Sequence, residues 1–381
     1  MKKIFIFIFY LVIFIIIPDN IVFASSNDLV NGLYEDQLKE SKADEIKDFL
    51  PNETLKDLED IGANSFNFND LIKIKLTDIL SKIFDVSKSK VPYVMKPISF
   101  IFAIILLNAL FTTFENSFNK SSLTEVVGIV SNLCLSMTLI NPICEIIKNA
   151  NLVISNVSKL LIGYIPVMGG IIFASGKNVA AFSYSSFMIL VGNLFSNIST
   201  RLLVPFLNCY LAFGLSTSLS SKLNLNTLNN WFLKTIKWIL GLITSIFVGS
   251  LTIKNIIVNS TDSINNKTMK FLFSGCIPVV GSAIGDAFST VYGCINLLKS
   301  GVGAFFILAL IFIFLPIILE CSMFIISINF CSSFGEIFGL SKVSKILNNA
   351  ANVLKILIAI IIFLLVVLVV STAIVLSSGG S

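Results

Sequence analysis

Phe271 to Ala287 reads FLFSGCIPVVGSAIGDA, and this stretch limits the chain more than any other. It is apolar enough for a bilayer, yet its middle opposes a regular helix. Pro278 has no N–H to give, and Gly275, Gly281 and Gly285 loosen the backbone around it. Hydrocarbon offers no partner to the N–H and C=O groups that a break would free. Such a stretch has to be enclosed by other parts of the protein or face a watery cavity. It also carries Asp286, an acid in a part of the chain that has few.

A second stretch is built the same way. Leu161 to Ala174 reads LIGYIPVMGGIIFA, so Ile165-Pro166-Val167 with Gly169 matches Ile277-Pro278-Val279 with Gly281, 112 residues further on. The likeness extends outward. Gly128-Ile129-Val130-Ser131 faces Gly241-Leu242-Ile243-Thr244, and LLVPFLNC from Leu202 faces IFLPIILEC from Ile313. Pro205 thereby pairs with Pro316, and Cys209 with Cys321. An internal duplication, residues 123–225 and 236–337, accounts for this order. Chance likeness between apolar segments is the alternative, but prolines and glycines agree in spacing, not only aliphatics.

Only 13% of the 381 residues are charged and 55% are hydrophobic, whereas a soluble domain carries about 25% charged residues. The expected fold is an all-α polytopic membrane protein with about seven transmembrane helices plus the broken or re-entrant segments. No histidine is present, which excludes histidine acid–base chemistry and histidine metal sites. The seven cysteines show no CxxC pair and read as small apolar residues. With Arg201 as the one arginine and no basic stripe, nucleic-acid binding has no support.

The chain divides into three. Residues 1–24 form a signal peptide, with Lys2 and Lys3, an apolar run from Ile4 to Ile17, Pro18, and cleavage expected after Ala24. An uncleaved anchor is the alternative. Residues 25–96 form an extracytoplasmic charged helical module; between Ser25 and Pro97 stand 14 acids and 10 lysines. Its apolar positions recur at three- and four-residue spacing, which predicts three short helices. Residues 97–381 form the multi-pass membrane domain. Spans are expected over Pro97–Phe114, Leu123–Ile147, Ala180–Ile198, Leu202–Leu219, Trp231–Val258, Val302–Phe330 and Leu354–Leu376. A hinge is expected at Ser199-Thr200-Arg201, an interruption at Pro316, a polar stretch over Lys148–Lys159, and an amphipathic, water-accessible one over Cys331–Asn349.

Few residues offer chemistry. Asp286 lies in a broken segment, the arrangement found at midplane sites of transporters built from repeats; a helix-cap role is the competing reading. Glu320 follows Pro316 by one turn, where the kink frees carbonyls. Buried charge in a bilayer is costly, so both acids point to a cavity or a partner. Glu145 stands three residues before Lys148 and is expected to pair with it. Pro166, Gly169, Pro278 and Gly281 are candidate hinge points, though small residues also serve close helix packing. No nucleophile–base pair, nucleotide loop or metal-ligand cluster is legible. No cofactor and no enzymatic activity are expected.

With these features in place, the chain resembles the stage III sporulation protein AE family of endospore-forming bacteria. The likeness rests on the layout, a signal, a short charged module and a polytopic body, and on FLFSGCIPVVGSAIGDAFSTVYGCINLLKSGVG, Phe271 to Gly303. The resemblance implies a role in spore formation, in the mother-cell membrane around the forespore. It implies partners among the other stage III sporulation membrane proteins and a forespore-side channel protein, in a channel or feeding apparatus. The family carries no catalytic motif to transfer. Three functions stay open: a permease-like part of that apparatus, a membrane scaffold that assembles the other subunits, and a stand-alone small-molecule transporter.

Overall fold

A computed structural model describes residues 28–118, 121–219, 227–250 and 281–377. The signal segment, Pro278 and most of the stretch around it lie outside these residues. Among the described residues every regular element is helical. Six helices among the described residues are long and apolar enough to cross a membrane. The chain is an all-α polytopic membrane protein.

The module comes first. Helix α1 (Asp28–Ser41) ends at Lys42, whose φ of 56° turns the chain into a 3₁₀ helix, Ala43–Phe49. Helices α2 (Asn52–Asp60) and α3 (Phe68–Ile72) follow, and the Asn67 side chain caps α3 by accepting from the Asn69 N–H at 3.0 Å. Ile46, Leu58, Ile61 and Phe66 form a small core. The Tyr34 hydroxyl donates to the Phe66 carbonyl at 2.9 Å. Burial and the nearby Asp70 and Asp44 carboxylates push its phenol above the ordinary range. The module packs against the body. The Phe66 ring lies 4.5 Å from that of Phe305, and the Phe49 ring fills the space where Gly163 lacks a side chain.

The body consists of α4 (Leu76–Phe118), α5 (Ser121–Ala174), α6 (Asn178–Ile198), α7 (Val204–Leu219), α8 (Thr227–Ser250), α9 (Gly281–Ile337) and α10 (Ser341–Ser377). Helices α9 and α10 form a central antiparallel hairpin that turns at Gly339, where a φ of 72° suits glycine alone without strain. Gly303 lies against Leu376 at one end, and the Ser332 and Ser344 hydroxyls meet at 2.7 Å near the other. In its most apolar stretch α10 is 67% buried, against 11% for α8, which lies on the outside and leaves Trp231 and Trp238 exposed.

Helix continuity departs from the sequence expectation at four places. The first broken segment is unbroken: Pro166 and Gly169 lie inside α5. Lys148–Lys159 is helical too, because Ala150, Ile154, Val157 and Leu160 share one buried face beneath its polar residues. The third module helix and the first span are one helix, α4, that runs through Pro92 and Pro97. Pro316 likewise does not interrupt α9. Proline removes one ladder bond, and neighbouring helices in a bundle hold the rest of the ladder in place. At Ser199-Thr200-Arg201 the expected hinge appears as a single π-helical turn, Ser199–Leu203, between α6 and α7. A 54-residue helix such as α5 is about 80 Å long, well beyond a bilayer core of about 30 Å. Stretches expected as separate spans and loops are therefore sections of one rod. Six spans among the described residues stand where about seven were expected.

Candidate functional site

Three helices bring charged groups together, with Glu320 buried, Lys90 half-buried and Glu145 exposed. Helix α9 supplies Glu320, whose side chain is 3% exposed. Helix α4 supplies Lys90, with its Nζ 3.3 Å from one carboxylate oxygen, Oε2. The other oxygen, Oε1, is buried and accepts no hydrogen bond among the described residues. One turn along α4, the Tyr93 hydroxyl donates to Glu145 Oε2 of α5 at 2.9 Å. The Tyr93 ring rests edge-on against Phe324, centroids 5.9 Å apart, so α9 holds the tyrosine as well as the acid. A cleft of about 140 Å³ lined by Val91, Val94, Met95, Met323, Ile326 and Ser327 adjoins the cluster.

Each contributing helix has a proline within about one turn of its charged residue. Pro92 stands between Lys90 and Tyr93, Pro142 three residues before Glu145, and Pro316 four residues before Glu320. Each removes a backbone N–H from its helix. The ladder is thus weakened in all three helices close to a charged residue. Glu145 does not pair with Lys148; Tyr93, across a helix contact, reaches its carboxylate.

The residues singled out from the sequence do not converge. Glu320 sits in the cluster. Asp286 lies near the start of the same helix, 34 residues earlier, which is about 51 Å along the axis. Gly281 is the first residue of α9, and Pro278 lies outside the described residues. Pro166 and Gly169 stand on α5 more than 20 residues beyond Glu145. A side chain at Gly169 would meet Ser185 Oγ of α6 at 2.6 Å, so this glycine permits close helix packing. Asn208, which takes Glu320's place in the duplicated pattern, is exposed and lies 4.0 Å from Cys144 Sγ.

A second polar cluster knits the other end. Tyr184 of α6 donates its hydroxyl to Tyr164 of α5 at 3.4 Å and lies 3.4 Å from the Thr372 hydroxyl of α10. All three are fully buried, and Tyr164 stacks on Phe306 at 3.6 Å with the rings 7° from parallel. Sequence reading missed Lys90, Tyr93 and the whole hydroxyl cluster. Lys90 lies in the charge-rich run that reads as water-facing. Its closeness to Pro92, repeated at Pro142–Glu145 and Pro316–Glu320, was the available signal.

A long-helix bundle with a buried ion pair and no regular element other than helix among the described residues defines the class, a polytopic helical membrane protein. Residues 64–379 match the family Stage III sporulation protein AE. The chain belongs to that family and is a sporulation protein of the membrane. It is similar to Stage III sporulation protein AE of Bacillus subtilis (strain 168), 23% identical over 203 residues. That alignment covers 53% of this chain and 50% of the relative, so the chain spans about half the length of the curated relative it matches. No solved structure matches it.

Proposed function

We propose that the chain is a permease-like membrane component of the stage III sporulation complex, in the mother-cell membrane around the forespore. It works there with other stage III membrane proteins and a forespore-side channel protein, in an apparatus needed for spore formation. The observation that carries this reading is the Lys90–Glu320 pair with Tyr93 and Glu145. Buried charge is expensive in a bilayer, and helix packing alone gives no reason to keep it. Three helices, each carrying a proline near the charge, offer a place where a polar solute meets polar groups.

A scaffold reading competes with it, favoured by the docked module. Glu35, Asp36, Glu40, Asp44, Glu45 and Asp48 all face outward on a unit fixed to the body, a surface suited to other subunits. Spore yield separates the two in cells whose only copy carries Glu320→Gln or Asp286→Asn, with protein level checked by immunoblot. The permease reading expects yield to collapse at normal protein level for Glu320→Gln. Normal yield for both variants sinks it and leaves the scaffold.

A further inference from the structure

We infer that the body binds a phosphate group on buried Lys299, at the end where α5 turns into α6. The site is separate from the Lys90–Glu320 pair and does not rest on the permease reading. Helix directions bring Lys299 and Lys177 to this end. Gly169 of α5 lies against Ser185 of α6, and Leu161 against Gly192, so α6 runs opposite to α5. Tyr164 stacks on Phe306, while Glu145 and Phe324 share Tyr93, so α9 runs opposite to α5 as well. Lys177 stands seven residues before Tyr184, and Lys299 seven before Phe306. Seven residues are two turns, about 10 Å, so each lysine shares the inward face of its aromatic residue. Both are enclosed, Lys299 at 2% exposure and Lys177 at 6%.

The helices at this end offer no counter-charge. Helix α6, helix α10 and the part of α5 beyond Glu145 contain no Asp or Glu. On α9 the nearest acids are Asp286, 13 residues before Lys299, and Glu320, 21 after it, about 20 and 30 Å along the axis. Lys177 has interactions of its own. The Lys299 side chain makes no hydrogen bond and no ion pair among the described residues. One turn earlier on α9, Asn296 Oδ1 is buried with no donor among the described residues. Turned over, that amide presents its NH₂ to the same place. Lys177 is the N-cap of α6, its carbonyl accepting from the Ala181 N–H at 2.9 Å, so the positive end of the helix dipole lies here too. An enclosed cation without an acceptor is costly, and three kinds of donor from two helices call for a ligand with several acceptor oxygens and negative charge. A phosphate group has both. It comes either as inorganic phosphate or on the headgroup of an anionic lipid.

The test is thermal unfolding of the full-length protein in dodecyl maltoside micelles, after lipid has been stripped to the point where a phosphorus assay finds none. Sodium phosphate is compared with sodium chloride at equal ionic strength, and phosphatidylglycerol with diacylglycerol, which has the same chains and no phosphate. The wild type is expected to unfold at a higher temperature with inorganic phosphate or with phosphatidylglycerol. Whichever of the two acts names the source. The rise is expected to vanish in Lys299→Met and to shrink in Lys177→Met. Without ligand, Lys299→Met is expected to unfold no lower than the wild type, because it removes an unpaired buried charge, so a lost rise is not a folding failure. A wild type indifferent to both ligands overturns the inference. So does a rise that survives in Lys299→Met, or one that chloride or diacylglycerol reproduces in full. Lys299→Met that unfolds well below the wild type without ligand also overturns it, since the lysine then serves the fold itself.

Discussion

The body holds two polar clusters of opposite design, one fully buried and one that runs from buried Glu320 to exposed Glu145. At Tyr164, Tyr184 and Thr372 neutral hydroxyls from three helices meet one another, all fully buried. At Lys90, Glu145 and Glu320 the groups are charged, with the Tyr93 hydroxyl on Glu145; one carboxylate oxygen has no donor among the described residues, and a proline stands near each charge. The first is what stability alone would select: hydroxyl bonds between helices, with aromatic stacking beside them. The second is poor design for stability, since a buried ion pair often does no better than apolar residues of the same volume. A cluster that stability does not require is the better candidate for function.

Substitutions can break that contrast, and the largest effect belongs to the charged cluster. Lys90→Met leaves a buried carboxylate without its pair and is expected to destabilise by about 3–5 kcal/mol. Thermal unfolding in detergent micelles, followed by size-exclusion chromatography, reads this. Lys90→Met combined with Glu320→Leu is expected to return the melting temperature to near wild type while spore yield stays lost. Recovery of both would show the pair to be merely structural. Next in size, Tyr184→Phe removes the hydroxyl at the centre of the neutral cluster. About 0.6 to 1.7 kcal/mol of stability should go with it, the range for hydrogen bonds between membrane helices, with spore yield unchanged. A sporulation defect at normal protein level would erase the distinction between the clusters. Smallest in stability, Glu145→Gln keeps an acceptor for Tyr93 at an exposed position and should stay within about 0.5 kcal/mol of wild type. Its spore yield should nonetheless fall as far as that of Glu320→Gln, in the same assay.

Much of the fold was legible before any coordinates. Apolar content placed the chain in a membrane, apolar spacing predicted short helices in the module, and a uniform apolar run marked Leu354–Leu376 as a span. Gly62, with a φ of 83°, follows the C-cap Ile61 at the end of the helix Asn52–Asp60. The weak point was continuity. Pro97, Pro166 and Pro316 read as boundaries because proline costs a free helix about 3 kcal/mol. Inside a bundle that cost is offset by contacts such as Tyr164 on Phe306, and the helix continues through the defect. Of the candidate site, Glu320 was legible because an acid inside an apolar run stands out. Lys90 was not, because its neighbours Asp85, Lys88 and Lys96 make the whole run look solvated.

What the sequence determined alone is therefore what local composition controls. Apolar surface partitions into lipid residue by residue, so membrane residence and helical character follow from counting side chains. The module's acidity and the positions of every proline and glycine are fixed in the same way. Partnership depended on tertiary structure. Lys90 lies 230 residues from Glu320, and Tyr93 lies 52 from Glu145. No local rule sets such distances. They follow from which helix faces interlock, and that choice is made by the shape of the packed bundle: Gly169 against Ser185, Phe324 against Tyr93, and α9 against α10.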